Sequence, residues 1–252
     1  MITGAARGIG EATARRFAAE GAGVLIADLD GDAGERTARS IRDAGGRAEA
    51  VRCDVADRVS VEAAVASAVD AFGTLDVLVN NAYSCSDHKE DFAEESDEDW
   101  LLDLDVTLVG AVRCARAALS HLAAAPGRRG AIVNIGSVNG LSYFGNHAYS
   151  AAKAGLVSFT QGLAVRAAPQ GVRVNLVAPG TIRTPAWSGR EAVLTAAARA
   201  YPLGRIGEPE DIAAAVAFLA SADAAWITGV TLPVEGGVLV ANTGFTDALK
   251  EG

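Results

Sequence analysis

The regular alternation of short apolar runs with alanine-rich amphipathic segments most restricts the fold of this 252-residue chain. The apolar runs lie at 24–28, 48–55, 75–82, 130–137, 172–180 and 228–237. Segments with helical spacing lie between them at 8–20, 32–44, 58–72, 97–124, 148–168 and 209–221. Apolar strands alternating with helices are typical of a parallel sheet covered on both faces, and right-handed crossovers make it doubly wound. We therefore predict a single α/β domain, Rossmann-like, over residues 1–252.

The beginning of the predicted sheet departs from this pattern. A first strand should supply about five or six apolar residues before the next loop. Here only Met1 and Ile2 precede Thr3. Either the natural start lies further upstream, or the chain lacks most of this strand. The sequence as given predicts a truncated first strand, which weakens the sheet centre and any pocket beside it.

Composition and charge disfavour several classes of function. Half of the residues are hydrophobic and the net charge is −9, which gives no electrostatic reason to bind nucleic acid or an anionic membrane. No apolar segment reaches the ~18 residues of a membrane span, and no signal peptide is visible. The few cysteines and histidines have no metal-type spacing. The acidic stretch 87–99 is interpreted as a solvated loop and a first helical turn. We expect a cytoplasmic protein without a metal, a nucleic-acid partner or a membrane anchor.

A glycine-rich loop follows the truncated strand. Residues 3–10 read TGAARGIG, with glycines at 4, 8 and 10 and with Arg7 and Ile9 between them. Glycines Gly4, Gly8 and Gly10 let the backbone approach a pyrophosphate, and the following helix offers it amide groups and a positive dipole end. A plain turn is the alternative when such a loop is seen in isolation.

An acidic residue ends the next predicted strand. The run VLIAD ends at Asp28, about 20 residues after the loop, where a carboxylate is expected to bind the adenosine ribose. A carboxylate there also repels a 2′-phosphate, which favours NAD over NADP. Leu29 follows, where a basic residue would have indicated NADP. Arg7 is able to reach a phosphate, so NADP stays open, and a strand-end turn is the structural alternative for Asp28.

A tyrosine and a lysine in the segment YSAAK form the candidate catalytic pair. Tyr149 and Lys153 lie on one face of a predicted helix. An ammonium beside a phenol lowers the pKa of the phenol, which then exchanges a proton with a substrate oxygen more readily. Ser137 ends the strand GAIVNIGS at the edge where such sheets bind ligands, and its hydroxyl is suited to bind that oxygen. The alternatives are a chance spacing for the pair and a turn residue for Ser137.

Taken together, these motifs resemble the short-chain dehydrogenase/reductase family in its common single-domain form. The resemblance spans nearly the whole chain after the missing first strand. The motifs that carry it are TGAARGIG, CDV at 53–55, NNA at 80–82, IGS at 135–137, YSAAK at 149–153, PGTIRT at 179–184 and TGVTLPVEGG at 228–237. The resemblance implies an oxidoreductase that moves a hydride between a nicotinamide dinucleotide and a secondary alcohol or ketone.

The resemblance also implies roles for individual residues. Tyr149 is the general acid in reduction and the general base in oxidation, Lys153 also binds the nicotinamide ribose, and Ser137 orients the substrate carbonyl. The implied contacts to the adenine side of the cofactor are Asp54, Val55, Asn80 and Ala82. The implied contacts around the nicotinamide carboxamide are Pro179, Gly180, Ile182 and Thr184.

Three positions depart from the family pattern. Tyr83 stands where NNAG usually has glycine, and its ring is expected near the pocket. Thr107 in VTLVG stands where the family often has a catalytic asparagine. Its side chain is shorter and stiffer, so we expect a working but slower proton relay. Glu235 replaces the usual aspartate of the closing segment.

The substrate side is expected to involve two segments. The resemblance implies a mobile lid at 185–205, with Trp187, Leu194 and Tyr201 as apolar walls. Just before the catalytic tyrosine, Tyr143, Phe144 and His147 are expected to face the substrate. Packing within the protein is the alternative for all six residues.

Two predicted helices also indicate an oligomer. The helices at 97–124 and 148–168 carry alanine and leucine on more than one face, which requires burial on more than one side. The resemblance implies that they join subunits in a homotetramer, with a homodimer as the alternative.

Three function hypotheses remain open at this point. The first is an NAD-dependent dehydrogenase or ketoreductase, and the second is an NADPH-dependent reductase that serves biosynthesis. The third is a non-catalytic dinucleotide-binding protein, which Ser137, Tyr149 and Lys153 disfavour and which Thr107 and the short first strand keep open. No feature supports a nucleic-acid or membrane binder.

Overall fold

Seven parallel strands form one sheet in the computed structural model of the chain, which describes residues 1–87, 89, 91–128 and 130–241. The strand order is β3-β2-β1-β4-β5-β6-β7, which confirms the doubly wound α/β fold. The strands are β1 Ile2–Thr3, β2 Gly23–Asp28, β3 Arg47–Arg52, β4 Val77–Asn80, β5 Ala131–Ile135, β6 Arg173–Pro179 and β7 Thr231–Val234. All of the predicted strand segments are present, and each observed strand is shorter than or close to its predicted bounds.

The helices also follow the sequence pattern, with one subdivision and one addition. They are α1 Gly8–Ala19, α2 Gly31–Asp43, α3 Arg58–Phe72, α4 Asp97–Asp103, α5 Gly110–Ala123, α6 His147–Ala167, α7 Glu191–Ala197 and α8 Pro209–Ala220. The segment predicted as one helix at 97–124 is α4 and α5 joined by a π-helical turn, Leu104–Val109. Helix α7 lies in the predicted lid. None of these helices in the described ranges is both long enough and apolar enough to cross a membrane.

Successive strand residues point to opposite faces of the sheet and build two apolar layers. Leu25 and Ile132 belong to the layer that packs against α3, α5 and α6. Their neighbours Ile26 and Val133 belong to the opposite layer, which packs against α1, α2 and α8. All four side chains are at most 1% exposed. This burial on both faces explains why the strand segments read as continuous apolar runs.

The first strand is as short as the sequence predicts, yet it lies in the middle of the sheet. Ile2 pairs with Ile26 of β2 on one side and with Val79 of β4 on the other. Ile2 and Thr3 are at most 1% exposed. These two residues therefore connect the two halves of the sheet, and the glycine-rich loop begins directly after them, at the carboxyl edge where the candidate site lies.

Candidate active site

The glycine-rich loop has the backbone that close approach to a phosphate requires. Gly4 and Gly8 have φ values of 61° and 60°, in the left-handed region that favours glycine. A Cβ atom at Gly10 would lie 2.4 Å from the Gly4 carbonyl oxygen, so only glycine fits there. Helix α1 begins at Gly8 without a side-chain cap, which leaves its first amide groups available. This arrangement fits a pyrophosphate at the N-terminus of α1.

Asp28 is held against the same loop at the end of β2. Its carboxylate accepts hydrogen bonds from the Ala6 amide at 2.8 Å and the Asp30 amide at 3.0 Å, and the residue is 8% exposed. A carboxylate has about four lone-pair sites, so acceptor capacity remains for ribose hydroxyls. A cleft of about 330 Å³ lies beside it and is lined by Ala6, Arg7, Glu11, Arg15, Asp30, Ala33, Arg36 and Thr37. Loop, helix terminus and carboxylate together fit a dinucleotide.

Two residues that sequence reasoning missed hold this loop in place. The Asn81 side chain donates to the carbonyl oxygens of Thr3 at 3.0 Å and Gly4 at 2.8 Å. The Thr3 hydroxyl accepts from the amides of Asn81 at 3.0 Å and Ala82 at 3.1 Å. The end of β4 is thereby tied to the loop that follows β1. The position of Asn81 directly after a central strand was the sequence feature that could have indicated this role.

The Asn80 side chain lies inside the protein. Asn80 is 5% exposed and donates to the Asn134 side chain of β5 at 2.8 Å. Asn134 in turn donates to Thr160 on α6 at 2.8 Å. Because strand residues alternate between faces, Asn80 points into the protein and its neighbour Asn81 points to the loop. The Asn80 side chain therefore links β4 through Asn134 to α6, and a cofactor contact from this residue stays a prediction.

The remaining predicted cofactor residues lie along the same edge. Asp54 and Val55 follow β3, and the Asp54 carboxylate accepts from the Ala56 amide at 2.9 Å. Pro179 ends β6, and the chain continues through Gly180 to Ile182, which bridges to Gly207. A Cβ atom built on Gly8 would lie 3.3 Å from Thr184 Cγ2. The segment predicted to cover the nicotinamide thus crosses the glycine-rich loop.

Tyr149 and Ser137 meet at the centre of this edge. Tyr149 lies in the first turn of α6, and its hydroxyl is near enough to the Ser137 side chain for Ser137 to influence its pKa. The Ser137 hydroxyl donates to Asn139 Oδ1 at 3.2 Å and accepts from the Asn139 amide at the same distance. The Asn139 side chain donates to the Gly145 carbonyl at 3.0 Å and to Ser150 at 3.2 Å. Asn139, another residue that sequence reasoning missed, fixes the loop that joins serine and tyrosine.

Lys153 lies one helical turn beyond Tyr149, as the spacing predicts. It is 2% exposed, and its Nζ donates to the Ile135 carbonyl oxygen at 2.6 Å. Nζ lies 5.4 Å from the centre of the Tyr149 ring and 5.6 Å from the centre of the Tyr83 ring. Burial lowers the pKa of Lys153 to about 7. The side chains of Lys153, Tyr149 and Tyr83 therefore form one compact group.

The pKa of Tyr149 moves opposite to the direction predicted from the sequence. Burial of the phenol raises its pKa, and the nearby Ser137 hydroxyl opposes this only in part. Lys153, whose own pKa is lowered by burial, is not among the causes that act on the pKa of Tyr149. The phenol is therefore neutral in this structure and is suited to donate a proton.

The Thr107 hydroxyl is bonded to the backbone of a neighbouring segment. Thr107 is 1% exposed and lies in the π-helical turn between α4 and α5. Its hydroxyl donates to the Ser84 carbonyl oxygen at 3.1 Å and accepts from the Ser84 amide at 3.0 Å. The hydroxyl thus fixes the chain just after Tyr83, and the proton relay through Thr107 stays a prediction.

His147 and Tyr143, which precede Tyr149 in the chain, stack on each other. Their rings stack at 5.4 Å, and Tyr143 is 66% exposed. His147 Nδ1 lies 2.6 Å from Glu95 Oε1, and the other oxygen of Glu95 accepts from the Trp100 indole at 2.8 Å. Tyr143 is therefore largely exposed, whereas His147 is bound to the segment before α4.

The predicted lid is packed around a small apolar cluster of its own. Leu194 and Tyr201 are buried with Ile206, and Trp187 packs against them. The Arg190 guanidinium lies 4.7 Å from the centre of the Trp187 ring. The Tyr201 hydroxyl accepts from the Thr181 amide and donates to the Thr181 hydroxyl, both at 2.7 Å. Packing within the lid thus accounts for the burial of Leu194 and Tyr201. Tyr201 also anchors the lid to the segment after β6.

The closing segment is joined to this region. Glu235, which replaces the usual aspartate, accepts from the Leu239 amide at 3.1 Å. A Cβ atom at Gly180 would lie 3.2 Å from the Cα atom of Glu235. The longer side chain is accommodated within the closing turn.

Comparison with known proteins agrees with this site. Residues 4–239 match a family profile described as enoyl-(acyl carrier protein) reductase. A cis-4-hydroxycyclohexanecarboxylate dehydrogenase from Sinomonas cyclohexanicum is 44% identical over 240 residues, covering 94% of each chain. The short-chain reductase protein NovJ from Streptomyces niveus is 42% identical, over 94% of this chain and 92% of its own.

Solved structures lead to the same family. A variant of actinorhodin polyketide ketoreductase, in a structure with NADPH, superposes with a TM-score of 0.87 at 34% identity, covering 94% of this chain and 95% of its own. Profile, relatives and structure all cover nearly the whole length of the chain, including the glycine-rich loop, Ser137, Tyr149 and Lys153. The chain therefore belongs to the short-chain dehydrogenase/reductase family and is an oxidoreductase.

Proposed function

We propose that this protein is an NAD-dependent dehydrogenase or ketoreductase that uses Tyr149 to exchange a proton with the oxygen of a secondary alcohol or ketone. The observation that carries the proposal is the group formed by Tyr149, the nearby Ser137 and the buried Lys153. The group lies at the carboxyl edge of the sheet, beside a loop and helix terminus that fit a dinucleotide.

The protein side of the reaction follows from the positions of the hydroxyl groups. Ser137 and Tyr149 each carry a hydroxyl at this edge, and in the proposed reaction both bind the carbonyl oxygen and orient it. The neutral Tyr149 phenol donates its proton to that oxygen during reduction. A bound nicotinamide dinucleotide supplies the hydride in reduction and accepts it in oxidation. In the oxidative direction Tyr149 must first lose its proton, so oxidation is favoured by higher pH.

The cofactor preference rests on Asp28. A buried carboxylate held by two backbone amides cannot turn away from the ribose, so a 2′-phosphate would meet a fixed negative charge. Arg7 lies 4.0 Å from the Asp30 carboxylate, which partly neutralises its attraction for a phosphate. NADPH remains the second candidate, because Arg7 and Arg36 line the adjacent cleft and the ketoreductase neighbour was solved with NADPH.

The substrate is proposed to be a secondary alcohol or ketone with an apolar body. Tyr83, which contacts Tyr149, and Tyr143, which stacks on His147, are both more than half exposed and offer aromatic surface. The relative from Sinomonas acts on a hydroxylated cyclohexane carboxylate, which is a secondary alcohol on an apolar ring. A cyclic hydroxy acid is therefore the first compound to test.

The experiment is a turnover panel with NADH and NADPH in parallel. It includes cyclic hydroxy acids with their ketones, a vicinal diol, a ketoacyl thioester, and an enoyl thioester for reduction of a carbon–carbon double bond. We expect carbonyl reduction with a higher kcat/KM for NADH. Tight dinucleotide binding without turnover on any carbonyl or alcohol would defeat the proposal and favour a non-catalytic binding protein.

We also propose a homotetramer that works in the cytoplasm as a single-domain enzyme. Leu101 and Leu102 on α4 and Val165 on α6 are 67%, 52% and 76% exposed, and Trp226 before β7 is 99% exposed. These surfaces lie on the helices expected to join subunits and next to the closing strand. Light scattering measures the mass directly, and a monomer at micromolar concentration would refute the proposed assembly.

A further inference from the structure

Tyr83 occupies a position where the family usually has glycine, and its backbone does not require glycine. Among the described residues, Asn146 is the one non-glycine residue with a positive φ. A side chain at position 83 is therefore accepted without strain. The Tyr83 ring is packed edge-on against the Tyr149 ring, with 6.0 Å between ring centres and 63° between planes. This contact restricts the orientation of the catalytic phenol.

The same ring faces the ammonium group of Lys153. Nζ lies 5.6 Å from the centre of the Tyr83 ring and 5.4 Å from that of Tyr149, within the range of a cation–π contact. Lys153 is 2% exposed, so little water solvates the charge. The titratable groups around the two rings are Cys85, Asp103 and Arg7. Within the described part of the chain, no carboxylate forms an ion pair with Lys153.

We propose that Tyr83 is a positioning residue for the reaction: its ring stabilises the buried Lys153 ammonium and holds the Tyr149 phenol in its reactive orientation. The proposal rests on the proposed function for its effect on turnover, but its electrostatic part concerns the protein alone. The phenol hydroxyl of Tyr83 is not needed for either contact. A phenylalanine at position 83 should therefore preserve the function of Tyr83, whereas a leucine, which has no ring, should not.

The direct test is the pKa of Lys153 in Tyr83→Leu and Tyr83→Phe, measured without substrate or cofactor. The chain has three lysines, Lys89, Lys153 and Lys250, so ¹³C-lysine labelling gives few NMR signals, and Lys153→Met assigns the relevant one. Loss of the ring removes attraction for the ammonium. The pKa should therefore fall by about one unit in the leucine variant and by less than about 0.3 in the phenylalanine variant.

Tyr143→Leu is the matched control, because it removes a neighbouring phenol that stacks on His147 instead of lying near Lys153. The Lys153 pKa should not move in this variant. An unchanged or raised pKa in Tyr83→Leu, an equal fall in Tyr83→Phe, or an equal fall in Tyr143→Leu would each overturn the proposal.

Turnover provides a second readout. We expect kcat to fall about tenfold in Tyr83→Leu and to stay within about twofold in Tyr83→Phe, with dinucleotide affinity unchanged in both. An equal loss of kcat in the two variants would contradict the role of the ring. If the unmodified protein turned over no carbonyl or alcohol, the proposed function would fail, while the NMR titration would still decide the contact between Tyr83 and Lys153.

Discussion

Asp28→Asn is expected to change the cofactor preference of this enzyme without removing cofactor binding. At ~5 Å and an effective dielectric constant of ~20, two unit charges repel by about 3 kcal/mol. The neighbouring Arg7 side chain is 64% exposed, so solvent reaches the cleft and we reduce this to about 1.5–3 kcal/mol. Loss of a charged acceptor to the ribose costs NAD about 1 kcal/mol more. The ratio of NADP to NAD affinity should therefore rise about a hundredfold.

Asp28→Asn should also lower the stability of the folded protein. Asp28 accepts one backbone amide on each carboxylate oxygen, from Ala6 and Asp30. An asparagine can satisfy only one of them, so the free energy of unfolding should fall by about 1–2 kcal/mol. Titration calorimetry with both dinucleotides and urea unfolding measure the two effects, and Glu62→Gln on the exposed face of α3 is the charge-matched control. A change in the affinity ratio below threefold would refute the reasoning.

Three further substitutions probe the parts of the site. The pKa of Lys153 is lowered from 10.5 to about 7 in the folded protein, so the unfolded protein binds more protons between these two pH values. From pH 7 to pH 10, the free energy of unfolding of the native protein should therefore rise by up to about 4 kcal/mol relative to that of Lys153→Met. Urea unfolding measures this difference, and a difference that does not change with pH would contradict the reasoning. Asn81→Ala removes two hydrogen bonds to the loop, so unfolding should become about 2 kcal/mol easier and dinucleotide binding weaker; unchanged affinity by calorimetry would count against its role. Gly10→Ala places a Cβ atom 2.4 Å from the Gly4 carbonyl oxygen, so the loop must shift. Even a small displacement of the phosphate-binding amides should lower dinucleotide affinity by roughly tenfold or more. Near-native affinity would show that the loop adapts.

The fold could be predicted from the sequence because the spacing of apolar residues along the chain agrees with the burial of those residues in the structure. Strands such as β5, buried on both faces, appear as unbroken apolar runs, and α3 was predicted with its observed bounds, Arg58–Phe72. The π-helical turn Leu104–Val109 was not predictable, since the apolar pattern continues through it. The same holds for α7, a short helix stabilised by the local cluster around Leu194 and Tyr201.

The candidate site could be predicted in its residues but not in its electrostatics. The spacing of Tyr149 and Lys153 and the strand-end position of Ser137 were enough to bring the three together. The pKa directions depend on depth of burial, which a motif does not contain, and they reversed the expectation for Tyr149. Likewise, the choice between Asn80 and Asn81 as the loop-facing residue depends on which face of β4 each occupies.

Replacement of Tyr149 by phenylalanine tests the central claim most directly, because it deletes one hydroxyl and keeps the ring packed against Tyr83. Dinucleotide affinity and turnover are measured on the same preparation. Proton transfer by a positioned side chain contributes about 10²–10⁴-fold, so turnover should fall by at least about a hundredfold while the dinucleotide Kd stays within about threefold. Turnover within tenfold of the unmodified enzyme would show that another group moves the proton.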